Sequence, residues 1–343
     1  MNITSGDVGL KILLLSTSGT IAYQNLCPAT DFMKQVLLQF IAAYKDNNPN
    51  SDVEFSLEIM DHISGNDLAI SKWKELHDKI KAISKPEYDG VIVTLEVSTL
   101  THIAPLFSFL LNQSDVPIFF ISDCQIEDVM FNKQLSFITA VDFIVRIGTA
   151  GVFSSVGTEI YLGTRLWMMT YGWMIGGEFE RNPDKNNPTV EDVEKKSPII
   201  VDFPDGEKSL GNFIYLTSHV GLNYSHINIE AQDNDPPVVF HELYLSGGAC
   251  TDPENEEFSI LVFAKRCMAQ GVEVYAAPYN PLQPHSSAKD MADVGIKLIN
   301  SISSVAAYTK LLIAYGAFSD AEKRMKFIES NIAYEQWCPM KSN

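Results

Sequence analysis

"KILLLSTSGTIAYQ", residues 11–24, is the stretch whose reading decides the fold. Ile12, Leu13, Leu14 and Leu15 form an unbroken aliphatic run with no polar alternation. Such a run suits a strand buried on both faces, as in a parallel sheet. It leads directly into Ser16, Thr17, Ser18, Gly19 and Thr20. Hydroxyls and a glycine at the carboxyl end of a parallel strand lie where an open α/β sheet builds its ligand site.

Similar runs recur outward from this stretch. "GVIVTLE" (90–96), "VPIFFIS" (116–122) and "TEIYLGT" (158–164) read as buried strands, and "DFMKQVLLQFIAAYK" (31–45) and "ISKWKELHDKIKAIS" (70–84) as amphipathic helices. In the second helix Trp73, Leu76, Ile80 and Ile83 share one face. A further helix is expected over 99–111, with Ser98 and Thr99 as capping residues or as a hydrogen-bonding shelf. Strands alternating with helices imply a mostly parallel sheet covered on both sides.

Polar stretches at 181–198 and 205–211 read as exposed loop and interdomain linker, with a short strand-like "IIVDF" (199–203) between them. The alternation resumes with strands at 212–218, 238–246 and 272–278, a helix near 256–271 and two late helices near 302–316 and 319–332. The expected organisation is an N-terminal α/β domain over 1–198, a linker over 199–211 and a smaller C-terminal α/β domain over 212–343.

Composition sets outer bounds. A chain of 343 residues, 46% hydrophobic and 20% charged, has globular composition and length for about two domains. A net charge of −18 with no basic patch argues against nucleic acid as a partner. Five scattered cysteines without CxxC spacing suit reduced thiols, argue against a cysteine metal site, and point to the cytoplasm. Cys124 and Cys250 read as buried small side chains unless they carry a redox role. Met1–Asp7 lacks the basic start of a signal peptide. The longest apolar run, "FITAVDFIVRIGTAGVF", is interrupted by Asp142 and Arg146, a pair spaced to meet on one helix face, so no membrane span is expected.

"STSGTIAYQ" resembles the TGGTIA motif of L-asparaginases and glutaminases, and "YDGVIVTLEVSTLTHIAPLFSFLL" (88–111) resembles that family's second signature, with Asp89, Gly90, Thr94, Thr99, Leu100 and Ala104 in matching places. Weaker similarity runs through 59–73, 116–126, 253–275 and 303–312, in the same order and at similar spacing. The sequence is most similar to the cytoplasmic, bacterial type I members. The resemblance implies a two-domain asparaginase-type α/β fold with a larger N-terminal parallel-sheet domain. It also implies a homo-oligomer, dimer or tetramer, no cofactor or metal, and a small amide or amino acid as ligand.

It further implies an acyl-enzyme route to side-chain amide hydrolysis, in which a threonine hydroxyl needs a proton-handling network to attack. Laid on the family's motifs, the first threonine is Thr20, which is retained. The second falls on Val97 and the following aspartate on Ser98, while the preceding histidine and glycine fall on Leu95 and Glu96. The lysine falls on Met174, and the substrate-holding pair near Gly65 and Asn66, with Ser64 beside them. Gly65, Val97 and Met174 are thus degenerate pocket positions, and Ser64, Asn66, Glu96 and Ser98 are the candidate ligand-binding residues. Valine keeps the shape of threonine without its hydroxyl, and methionine fills a lysine's space without its charge. The expected consequence is a protein that has lost ordinary L-asparagine and L-glutamine hydrolysis and acts in ligand sensing, in regulation or with a partner protein. Two alternatives stand beside it. One is an active amidohydrolase in which Thr20 is served by a non-standard base such as Glu96; the other is a structural subunit of a hetero-oligomer. Glu96 itself reads as a replacement base, as an anchor for an amine, or as a solvated loop-end side chain. Thr20 reads as a nucleophile or as a helix cap, and His102 as a shifted general base or, more simply, as a surface or capping residue. The aromatic-methionine cluster at 167–174 reads as core or interface packing, and the glycine-rich 246–257 as an ordinary turn.

Overall fold

A computed structural model describes residues 9–18, 29–64, 69–85, 87–122, 133–169, 173–175, 188–204, 212–229 and 237–337; for 18, 29, 133, 167–169 and 173–175 it gives the backbone alone. The chain divides into two compact units, Met1–Ile200 and Val201–Asn343.

The first unit carries strands β1 (Lys11–Ser18), β2 (Glu54–Ser64), β3 (Gly90–Leu95), β4 (Pro117–Ser122), β5 (Gly151–Val156) and β6 (Glu159–Leu162) in one sheet of order β2-β1-β3-β4-β5-β6. The first five are parallel; β6 returns antiparallel beside β5. Helices α1 (Ala29–Asn47), α2 (Lys74–Lys81), α3 (Val97–Leu110) and α4 (Lys133–Arg146) connect the strands. The aliphatic run of β1 is closed to solvent, with Ile12 and Leu15 fully buried, because β1 lies between two strands with both faces covered. Every residue of β3 and β4 is buried as well. Phe119, Phe143 and Phe153 pack as a ring cluster with centroids 4.9–5.3 Å apart where β4 and β5 meet α4.

Two strands of this six-stranded sheet escape the sequence reading. β2 is an edge strand, so half its positions are polar and no buried run marks it. β5 is hidden in the long apolar stretch that α4 begins; Asp142 and Arg146 of that helix do pair, at 3.6 Å. The described part of the polar stretch 181–198 is not free loop. Thr189 and Asp192 form a capping box for the one-turn helix α5 (Val190–Val193), whose Val193 is buried. Asn112 and Gln113 then donate to the carbonyls of Ile199 and Ser197, each at 2.7 Å, and Lys196 meets Asp115 at 2.6 Å. These bonds satisfy the backbone of 197–199 from side chains of the α3–β4 turn, so "IIVDF" forms no strand.

The second unit is a parallel four-stranded sheet of sequential order, β9 (Phe213–Thr217), β10 (Val238–Glu242), β11 (Glu273–Tyr279) and β12 (Lys297–Asn300). The intervening β7 (Trp167–Met169) and β8 (Trp173–Ile175) pair as a separate hairpin, with Met168 opposite Met174. Helices α6 (Ile260–Met268), α7 (Ala288–Asp293), α8 (Ser304–Ala317) and α9 (Ala321–Glu329) complete this unit. Val239, Ile260, Phe263, Ala264, Val274 and Met291 belong to its core. The strand expected over 238–246 ends at Glu242, leaving Tyr244 and Leu245 exposed on the loop after it. Cys267 is buried, but Cys250 is exposed, against the reading of it as a core residue; Cys124 lies outside the described residues. Lys310 and Glu335 form an ion pair 1% and 0% exposed, in which Glu335 also accepts from the backbone N–H groups of Ile332 and Ala333. Burial pulls the Lys310 ammonium below its ordinary pKa, against the opposing pull of Glu335. Among the described residues no helix is long and apolar enough to cross a membrane.

Candidate functional site

The strand order 2-1-3-4-5 puts the first unit's topological switch point between β1 and β3. Connections leave those two strands toward opposite sides, which opens a crevice beyond their carboxyl ends. Ser16 and Thr94 face each other across the parallel pair. Thr94 Oγ1 donates to Ser16 Oγ at 2.9 Å, and Thr17 Oγ1 donates to the Thr94 carbonyl at 3.2 Å. All three side chains are buried. This hydroxyl chain clasps the two strand ends at the floor of the crevice. Sequence reading missed it, although both hydroxyls occupy the fifth position of their aligned strands.

On the other side of β1, the register against β2 slips between Thr17 and Ser18, so that Thr17 pairs with Met60 and Ser18 with Ser64. The extra residues on β2 bring Ser64 level with the end of β1. Of the candidate residues, Ser64, Glu96, Val97 and Ser98 therefore lie at one end of the sheet. Thr20, Gly65 and Asn66 lie outside the described residues, and Met174 is placed by its backbone only.

Glu96 follows β3 with an extended backbone, φ −66° and ψ 138°, and is the N-cap of α3. The helix begins at Val97, which corrects the expectation that Ser98 and Thr99 cap it. Thr99 Oγ1 instead folds back onto the Glu96 carbonyl at 3.0 Å, and the Thr99 and Leu100 amides reach the same oxygen at 3.1 and 3.2 Å. The Glu96 carboxylate makes no capping hydrogen bond. Val97 is half-buried, Ser98 exposed and His102 exposed on the next turn. The chemistry on view is one half-buried carboxylate and one apolar side chain above a floor of mutually bonded hydroxyls. Among the described residues no group of three His, Cys, Asp or Glu side chains is arranged to hold a metal ion.

In the second unit, the carboxyl ends of β9 and β10 hold a different polar group. Glu242 accepts from Tyr215 at 3.0 Å and from Thr217 at 3.2 Å. Beside it His241 is fully buried, with Nε2 2.8 Å from the Tyr224 hydroxyl and Nδ1 3.1 Å from the Glu242 carbonyl. Burial pushes the His241 pKa down to about 4, so the ring is neutral near pH 7.

A parallel N-terminal sheet with its switch point between β1 and β3, together with a smaller parallel α/β unit, defines a two-unit α/β protein. Residues 11–171 match the sequence profile of the asparaginase N-terminal domain. Over this stretch the chain is similar to the asparaginase family. Solved structures agree in fold. The thermostable L-asparaginase from Thermococcus kodakarensis superposes with a TM-score of 0.68 at 21% identity, over 95% of this chain and 99% of that one. L-asparaginase I from Vibrio cholerae gives 0.67 at 16% identity, over 96% and 99%. A probable cytoplasmic L-asparaginase from Campylobacter jejuni gives 0.58 at 16% identity, over 93% and 99%. No curated protein matches the chain by sequence.

Proposed function

We propose that this protein is an asparaginase-fold ligand binder that has lost ordinary hydrolysis of asparagine and glutamine side-chain amides. The observation that carries the reading is the β3–α3 turn. There Val97 falls, by the motif match, where the family has its second threonine, and the hydroxyls of Ser16, Thr17 and Thr94 at the strand ends are bonded within the strand pair. A threonine nucleophile at Thr20 needs a neighbouring group to take its proton. With Val97 for the relay hydroxyl, Ser98 for the carboxylate and Met174 for the lysine, Thr20 lacks its activator. Removing one member of such a unit abolishes most of what the whole unit does.

The protein acts as a dimer or tetramer in the cytoplasm, with residues 1–198 and 212–343 as its two domains and 199–211 between them. The fold shared with the Campylobacter protein supports the compartment.

Ammonia release from L-asparagine, L-glutamine and a panel of simple amides tests the reading, with Thr20→Ala beside the wild type. The expected result is a background rate, the same in both. Release by the wild type that disappears in Thr20→Ala refutes it and makes the protein an amidohydrolase.

A further inference from the structure

The first sheet ends in a strand whose two faces differ in chemistry. β2 pairs with β1 alone, so its outer side has no strand partner among the described residues. The Glu54 amide donates to the Leu10 carbonyl at 2.8 Å, which turns the peptide groups of Glu54, Ser56 and Glu58 toward β1. Peptide groups alternate in direction along a strand, so those of Phe55, Leu57 and Ile59 point outward. The side chains alternate as well. Phe55, Leu57 and Ile59 share one face, where Phe55 meets Tyr44 of α1 and Phe137 of α4 at ring-centroid distances of 5.9 and 5.8 Å. All three are only half-buried, so apolar surface remains at the edge. The other face carries Glu54, Ser56 and Glu58 and borders a groove of about 720 Å³ between β2 and α2, with Leu13 of β1 in its wall. Four carboxylates line this groove, Glu58, Glu75, Asp78 and Glu87, against the two ammonium groups of Lys74 and Lys79. Lys79 meets Glu58 at 2.5 Å and Lys74 meets Asp78 at 3.1 Å, so the surplus charge is negative. The groove reaches Glu87 and Tyr88, just before β3 begins, and so lies away from the crevice at the strands' carboxyl ends.

We propose that β2 accepts an added strand from a partner protein, an extended segment in which basic and apolar side chains alternate. Its backbone bonds the outward peptide groups of Phe55, Leu57 and Ile59. Its basic side chains lie on the groove face beside Glu54, Glu58 and Glu87, and its apolar side chains lie beside Phe55, Leu57 and Ile59. Charge decides between occupants. A second copy of β2 on this edge would set its own Glu54 and Glu58 on the face that already carries these carboxylates, and like charges on neighbouring strands repel. At a net charge of −18 two copies also repel as wholes, whereas a basic segment is attracted on both counts. The proposal is independent of what the crevice binds.

The test uses the full-length protein and three octapeptides with blocked ends: alternating Lys-Val, alternating Glu-Val, and Lys-Val N-methylated throughout. The last keeps charge and side chains but donates no strand hydrogen bond. Calorimetry reads binding, and NMR reads amide hydrogen exchange. The Lys-Val peptide should bind at least tenfold more tightly than either of the others. It should slow exchange of the Phe55, Leu57 and Ile59 amides while leaving those of β6, the other edge of the sheet, unchanged. Glu54→Lys combined with Glu87→Lys, two exposed positions outside the ion pairs above, should weaken that binding tenfold or more with circular dichroism unchanged. Equal binding of the Lys-Val and Glu-Val peptides, binding that survives N-methylation, protection elsewhere than β2, or no binding overturns the proposal. So does protection of the same amides that grows with protein concentration in the absence of peptide, which would make the occupant a second copy.

Discussion

One measurable part of the weakening of the second unit in acid should come from a single side chain, His241. The ring is enclosed in the core, 0% exposed, with Tyr224 on Nε2 and the Glu242 carbonyl on Nδ1. Nδ1–H donates to the carbonyl, so Nε2 accepts from the Tyr224 hydroxyl, and protonating Nε2 would place a charge in the core and force that hydroxyl to turn and accept instead. Burial is the main cause that lowers its pKa from 6.5 to about 4; the Glu242 carbonyl works in the opposite direction and nearby His219 adds to the lowering. Because the folded value lies below the unfolded one, the unfolded chain binds the extra proton first. Stability is therefore intact above about pH 6.5, falls as pH drops toward 4, and levels off below. At about 1.4 kcal/mol per tenfold difference in proton affinity, the loss is about 3 kcal/mol. The assay is urea unfolding at intervals from pH 7.5 to 4, for wild type and His241→Gln. The variant keeps a polar side chain of similar length but does not titrate there. Carboxylates destabilise both proteins in acid, so the difference between them isolates the imidazole. The wild type should lose about 3 kcal/mol relative to the variant across that interval. A difference independent of pH would show that His241 is not held neutral by the fold.

Two further consequences follow from packing. Lys310→Met leaves the Glu335 carboxylate buried with only the Ile332 and Ala333 amides, and should cost about 3–5 kcal/mol in urea unfolding; Lys310→Met with Glu335→Gln should recover part of this, and a single variant as stable as wild type would show the pair to be dispensable. Gly163→Ala would put a Cβ 2.4 Å from Ser108 Oγ and 2.9 Å from the Ala104 carbonyl of buried α3, so it should cost about 1–3 kcal/mol; an unchanged midpoint would mean that α3 yields freely there.

The parallel core was readable because β1, β3 and β4 are covered on both faces, and that burial writes itself into the chain as unbroken aliphatic runs. The edge strand β2 has one open side and carries no such mark. The polar stretch before residue 200 misled for a related reason. Its anchoring partners, Asn112, Gln113 and Asp115, lie more than eighty positions away, and no local pattern announces side chains that will bond a distant backbone. The candidate site was legible in part. Its motifs named Glu96, Val97 and Ser98, yet they suggested a cap at Ser98 or Thr99 that the helix start at Val97 does not use.

By itself the sequence determined the class of fold, since that is a property of residue type and order. Only the tertiary structure decided which hydroxyls are already engaged, that Glu96 stands without a partner among the described residues, and that His241 is held neutral. Those are facts of distance and burial between segments far apart in the chain, and they exist only once the strands have paired.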